Sequence, residues 1–120
     1  MTRKTKALKE HEIENYFIWQ VEIMGGRTFK FKTTTQRGVS DRIACLPNGD
    51  TWFVELKRPK GGVVSPMQEL FAESMVALKQ QYVLLNTAEA INKWAAGIKL
   101  LNYAITKSNQ LISYMSAIGR

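Results

Sequence analysis

Hydrophobic positions recur along this chain with two different periods. Ile13, Phe17, Val21 and Met24 fall at helical spacing, which predicts an amphipathic helix from about Leu8 to Met24, stopped by Gly25-Gly26. In "RTFKFKT" (27 to 33) the period becomes two, with Phe29 and Phe31 between basic residues, as in a half-buried strand. "TTQRGVS" (34 to 40) is a polar loop. The apolar runs "DRIACL" and "TWFVELK" are joined by Pro47-Asn48-Gly49 and form a hairpin. After the basic loop "RPKGGV", Ser65 is an N-cap with Pro66 at the first position of a helix running to about Gln80. "YVLLN" (82 to 86) reads as a short buried strand, and Thr87 caps a third helix through about Ala96. Beyond Gly97 helical and strand periods mix, so residues 101 to 120 read as a C-terminal extension of the domain built by residues 1 to 100, with a helix and an oligomer contact among its readings. The order helix, three strands, helix, strand, helix predicts an α/β fold with a mixed central sheet flanked by helices.

Within the hairpin one residue breaks the apolar pattern. Strand parity puts Phe53, Glu55 and Lys57 on one face and Trp52, Val54 and Leu56 on the other, so Glu55 enters a covered layer where a lone charge is costly. Its cross-strand neighbour depends on the turn. Pro47 suits position i+1 of a type I turn, Asn48 position i+2, and Gly49 the left-handed position closing a three-residue loop. That loop sets Leu46 opposite Asp50, Cys45 opposite Thr51 and, by continuation, Asp41 opposite Glu55, with Lys57 on the same patch. Two adjacent carboxylates repel and raise the pKa of one, unless a cation lies between them. The patch reads as a site for a hard divalent ion, or as a half-exposed pair neutralised by Lys57 and Arg42. Strand geometry leaves both open.

Other residues also have two readings. On the first helix Glu14, with Glu10 as alternate, lies near the buried face and can point inward, or it serves as an acid favoured by the helix dipole. Gln68 either closes a capping box with Ser65 or supports the site. His11 lies on a polar turn and is solvated, and Ser40 has no histidine in register to make it a nucleophile.

Composition narrows the class. Seventeen Lys and Arg against ten Asp and Glu give +7 at pH 7, a balance that suits a polyanionic partner such as nucleic acid. One cysteine, Cys45, and one histidine cannot make a structural zinc site or an internal disulfide, which favours an intracellular compartment. The basic N-terminal run is followed by no apolar signal region, and no stretch reaches the ~18 apolar residues of a membrane span. No Gly-rich phosphate loop appears, so no nucleotide cofactor is expected.

From Glu10 to about Asn92, "EHEIENYF", "GG" before "FKFK", "GVSD", "VELK" and "SPMQ" follow one another. Together they resemble the restriction-endonuclease-like core of the PD-(D/E)XK superfamily, and within it a stand-alone VRR-Nuc domain of the phage and bacterial type. Ser40 departs from the proline usual before the aspartate, and the segment beyond about Leu100 lies outside the resemblance.

The resemblance implies a Mg²⁺-dependent endonuclease, with Mn²⁺ able to substitute, that hydrolyses DNA phosphodiesters. Asp41 and Glu55 would bind the metal, Glu14 would complete its site, Lys57 would orient the attacking water and stabilise developing charge, and Gln68 would support the site. Lys30, Lys32, Arg37, Arg42, Arg58 and Lys60 flank it and would contact phosphates, with little sequence preference. Similarity to Holliday-junction resolvases implies branched DNA as substrate, and paired incision implies a homodimer, to which the apolar C-terminal extension is suited. The expected setting is the cytoplasm of a bacterial or phage-infected cell. The rival readings are a non-catalytic DNA-binding module and a nuclease subunit of a larger restriction or recombination complex.

Overall fold

The computed structural model describes residues 8–31, 38 and 40–119. Lys32, Arg37 and most of the polar loop predicted at 34 to 40 therefore lie outside the described residues. The elements are α1 (Glu10–Ile23), β1 (Arg27–Lys30), β2 (Arg42–Cys45), β3 (Thr51–Leu56), α2 (Pro66–Ala77), β4 (Gln81–Leu85) and α3 (Ala88–Ile118). The strands form one sheet in the order β1-β2-β3-β4, antiparallel across the first two pairs and parallel between β3 and β4. This is the mixed α/β sheet expected.

The two faces of the sheet carry different layers. Ala44, Trp52, Val54 and Leu56 look toward α1 and α3, where Ile13, Phe17, Val21, Ile91 and Ile98 complete the buried core. Trp94 of α3 ties that layer together, packing tilted against Phe17 and edge-to-face against Trp52 with ring centroids 5.3 and 5.7 Å apart. Gln20 of α1 donates to Asn92 Oδ1 of α3 at 2.8 Å, closing the helix pair at its rim. On the other face Phe53 and Tyr82 meet Phe71 of α2. That second layer is thin, since α2 has no fully buried residue.

The helix starts follow the capping chemistry of the sequence. Glu12 accepts a hydrogen bond from the Lys9 backbone amide at 3.1 Å at the start of α1, and Thr87 Oγ1 accepts from Ala90 N at the start of α3. Helix α2 ends at Ala77 rather than near Gln80, because Lys79 takes a left-handed conformation (φ +58°) that terminates the turn.

The third helix runs past the stop expected at about Ala96, and the C-terminal extension takes its helical reading as a continuation of it. Gly97 does not stop it, and α3 continues to Ile118 for 31 residues. A glycine ends a helix when it takes the left-handed position after the last turn; inside a helix it costs only about 1 kcal/mol relative to alanine. The buried stripe Ile91, Ala95, Ile98 carries the helix across that position. Beyond it no side chain of α3 is fully buried. The radius of gyration, 17.9 Å, consequently exceeds the roughly 13–14 Å of a compact chain of this length. Among the described residues no helix is long and apolar enough to cross a membrane.

Candidate active site

The hairpin turn sets the site. Gly49 N donates to Leu46 O at 3.0 Å, Gly49 has φ +90°, and Leu46 N donates to Asp50 O at 2.9 Å. Cys45 then pairs with Thr51 and Arg42 with Val54. One residue further, Asp41 leaves the strand level with Glu55, and its Oδ2 accepts from the Leu56 amide at 3.1 Å. The chain reaches this point past Gly38, whose Cβ position lies 2.3 Å from the Met67 carbonyl oxygen, so only glycine allows the loop to pass α2 so closely. Ser40 is wholly buried, and its hydroxyl has no hydrogen-bond partner among the described residues.

Glu55 is 1% exposed. Its Oε1 accepts from Gln68 Nε2 at 2.8 Å and lies 3.5 Å from Lys57 Nζ, while its buried Oε2 has no hydrogen-bond partner among the described residues. Burial first, then the neighbouring Asp41 carboxyl, push the pKa of Glu55 up to about 7, and Lys57 pulls it down.

Gln68 fills both of the roles open to it. Its Oε1 accepts from the Ser65 amide at 2.9 Å, its own amide donates to Ser65 Oγ at 3.1 Å, and its Nε2 reaches Glu55. The capping box that starts α2 therefore also fixes the buried carboxylate. Gln68→Ala keeps the backbone bond to Ser65 Oγ but removes both side-chain bonds and leaves Glu55 Oε1 with Lys57; it is expected to cost about 2 kcal/mol of stability in urea unfolding. A loss within error of zero would show that Gln68 does not restrain Glu55.

Glu14 lies elsewhere. Arg42 belongs to the sheet face toward α1, where its guanidinium holds Glu14 Oε1 at 2.6 and 3.1 Å and reaches Thr28 Oγ1 at 3.2 Å. The helix acid and this arginine are thus engaged with each other, and Glu10 is exposed. Among the described residues no group of three His, Cys, Asp or Glu stands close enough to hold a metal ion. The structure brings together Asp41, Glu55, Lys57 and Gln68, and leaves Glu14 with Arg42.

Two residues near the site were not legible from the sequence. Tyr82, beside Phe53 across the parallel β3–β4 pair, has its hydroxyl pushed up to about 12 by burial and then by the charges of Glu55 and Asp41. Lys9 joins Lys57, Arg58 and Lys60 around an open groove of about 540 Å³ that Glu10, Gly61 and Gly62 also line. The basic N-terminal run was visible, but nothing in it showed that Lys9 would sit against the loop after β3. Lys30 is exposed on the edge strand, as are Arg58 and Lys60 on that loop.

A mixed sheet with an aspartate, a glutamate and a lysine gathered at its central hairpin defines a PD-(D/E)XK-like α/β domain. A solved structure described as "VRR_NUC domain" superposes with a TM-score of 0.67 and 25% identity, covering 72% of this chain and 94% of that one. Over 84 residues, 70% of the chain, the sequence is 34% identical to "Putative nuclease p44" of Acyrthosiphon pisum secondary endosymbiont phage 1, and spans 89% of it. No protein-family profile matches. The chain belongs to the VRR_NUC family.

Proposed function

We propose that this protein is a metal-dependent endonuclease that hydrolyses DNA phosphodiester bonds, acting as a homodimer on branched DNA such as four-way junctions. The observation that carries the reading is the pairing of Asp41 with a buried Glu55 whose second oxygen is free of any hydrogen bond among the described residues. An orphaned carboxylate oxygen in an apolar layer is costly unless a cation meets it. Asp41 and Glu55 fit Mg²⁺ or Mn²⁺ as oxygen donors, and Glu14 would join them only by exchanging its Arg42 partner. When bound, such an ion lowers the pKa of water and polarises the phosphate.

The chain's own residues do the rest. Lys57 brings an ammonium group to the place where the phosphate gains negative charge. Gln68 holds the Glu55 carboxylate in one orientation through its amide. Lys9, Arg58 and Lys60 line the groove that leads away from Lys57, and they attract the DNA backbone through its phosphates with no reading of bases. Paired incision of a four-way junction needs two such sites related by a two-fold axis, which is the support for the homodimer.

The test is incubation of the protein with labelled four-way, flap and linear DNA, with and without Mg²⁺ or Mn²⁺. Metal-dependent cleavage with preference for the four-way substrate is expected; binding without cleavage under any metal would establish a DNA-binding module instead. In the same assay format, Lys9→Ala and Lys60→Ala are each expected to lower the slope of log affinity against log salt by about 0.9. An unchanged slope in both would remove the groove from the DNA path.

A further inference from the structure

The last five turns of α3 are the largest feature that the site leaves unexplained. Leu101, Ile105, Leu111, Ile112, Met115 and Ile118 are each 48–65% exposed; the β2–β3 turn reaches the start of this stretch, where Asn48 Nδ2 donates to Asn102 Oδ1 at 2.8 Å and Pro47 and Asp50 line a shallow pocket with Ile105. The apolar spacing is regular. Positions 101, 108 and 115 and positions 104, 111 and 118 form two rows seven residues apart, and 105 and 112 add a third, the pattern of a helix that packs along another helix.

We infer that this stripe is the interface with a second copy of the same chain, the two α3 helices lying antiparallel and crossing at Ser108. In that register Leu101 meets Met115, Ile105 meets Leu111, and the small Ala104 faces the large Ile112, with Ser108 against its own copy at the close approach. Knobs and holes therefore alternate along one self-complementary surface. Charge selects the same direction. Lys107 is the only charged side chain from 100 to 119, and antiparallel pairing sets it level with Asn109, whereas parallel pairing sets it level with the other Lys107. Antiparallel helix dipoles also attract. The bodies fit too: the molecule is at least 21 Å thick in its narrowest direction, whereas packed helices lie about 8–10 Å apart. Parallel copies would crowd both bodies at one end.

Leu101, Ile105, Leu111, Ile112 and Met115 at this exposure contribute roughly 500 Å² per copy, or about 1,000 Å² together, which reaches the lower end of specific interfaces. A lipid surface is the poorer occupant, because interfacial helices carry many basic residues on the polar face and this one carries a single lysine. The inference rests on the two-fold assembly proposed above and supplies its contact. It does not depend on catalysis, so a failure to cleave DNA and a failure to dimerise are separate results.

The experiment uses the full chain in sedimentation equilibrium and in disulfide mapping. The wild type is expected at twice the 13.7 kDa protomer mass at micromolar concentration, and Leu111→Glu is expected at the protomer mass with unchanged helical circular dichroism. In a Cys45→Ser background, Ser108→Cys is expected to cross-link to itself, and Leu101→Cys to cross-link with Met115→Cys when the two are mixed. Gln110→Cys, on the opposite face, is expected to remain unlinked. A wild type that stays at the protomer mass, a Leu111→Glu protein that still dimerises, efficient Leu101→Cys self-linkage, or a monomer that binds anionic phosphatidylserine vesicles through this stripe would each overturn the inference.

Discussion

Glu55→Gln is expected to melt at a higher temperature than the wild type at pH 8 in EDTA, and to lose cleavage by about three orders of magnitude. Both effects have one cause. The folded protein holds the Glu55 carboxyl at about 7 against an ordinary value of 4.5, chiefly through burial. A group whose folded pKa is raised keeps its proton more tightly in the folded state, so folding is favoured least once that proton is gone. The wild type should therefore lose stability as pH rises from 4.5 through 7, by an amount on the order of 3 kcal/mol at the upper end. The introduced amide mimics the protonated acid and can still accept from Gln68, so the variant should lack this dependence. At pH 4 the two proteins should melt together, and at pH 8 they should differ by about 10 °C. The lost activity reflects the missing carboxylate, a deficit of about 4 kcal/mol at the transition state. Melting curves from pH 4 to 9 decide the matter: a variant no more stable than the wild type at pH 8 would mean that Glu55 is not strained in its metal-free pocket.

Lys57→Ala is expected to cut cleavage by about 10²–10³-fold, since it removes the positive charge nearest the reacting phosphate. DNA affinity should fall by no more than one phosphate contact allows. The same change has a second consequence, readable without catalysis. Lys57 is the group that holds the Glu55 carboxyl down, so its loss lets that carboxyl titrate above 7. Metal ions compete with protons for the carboxylate. The pH at which Mg²⁺ begins to raise the melting temperature should accordingly move upward in the variant. A midpoint that stays in place or moves down would show that Lys57 does not act on Glu55, and its role would then have to be sought on the DNA.

Much of this arrangement was legible because short-range chemistry determined it. Pro47, Asn48 and Gly49 specified the turn, the turn specified the register, and the register put Asp41 beside Glu55. Strand parity gave the covered face, and Ser65-Pro66 gave the start of α2. What escaped was decided by packing across layers. The choice between cap and site for Gln68 could not be made from spacing, because one side chain does both. Arg42 and Glu14 find each other because α1 packs on the sheet face that Arg42 happens to share, and no local pattern announces that. Tyr82 approaches the acids through the parallel β3–β4 pairing, whose register the sequence does not encode in any turn. The persistence of α3 through Gly97 followed from Ile98 having a place in the core, a tertiary fact that outweighed a local stop signal.

Capping boxes ordinarily accept glutamate as readily as glutamine. Here the far end of the residue-68 side chain must present a nitrogen to a buried acid, so a glutamate would satisfy the helix and set a third negative group against two others. Drift at this position is therefore limited by the pocket where the helix would be indifferent, and any homologue bearing an acid there should have surrendered either its pocket acid or its chemistry.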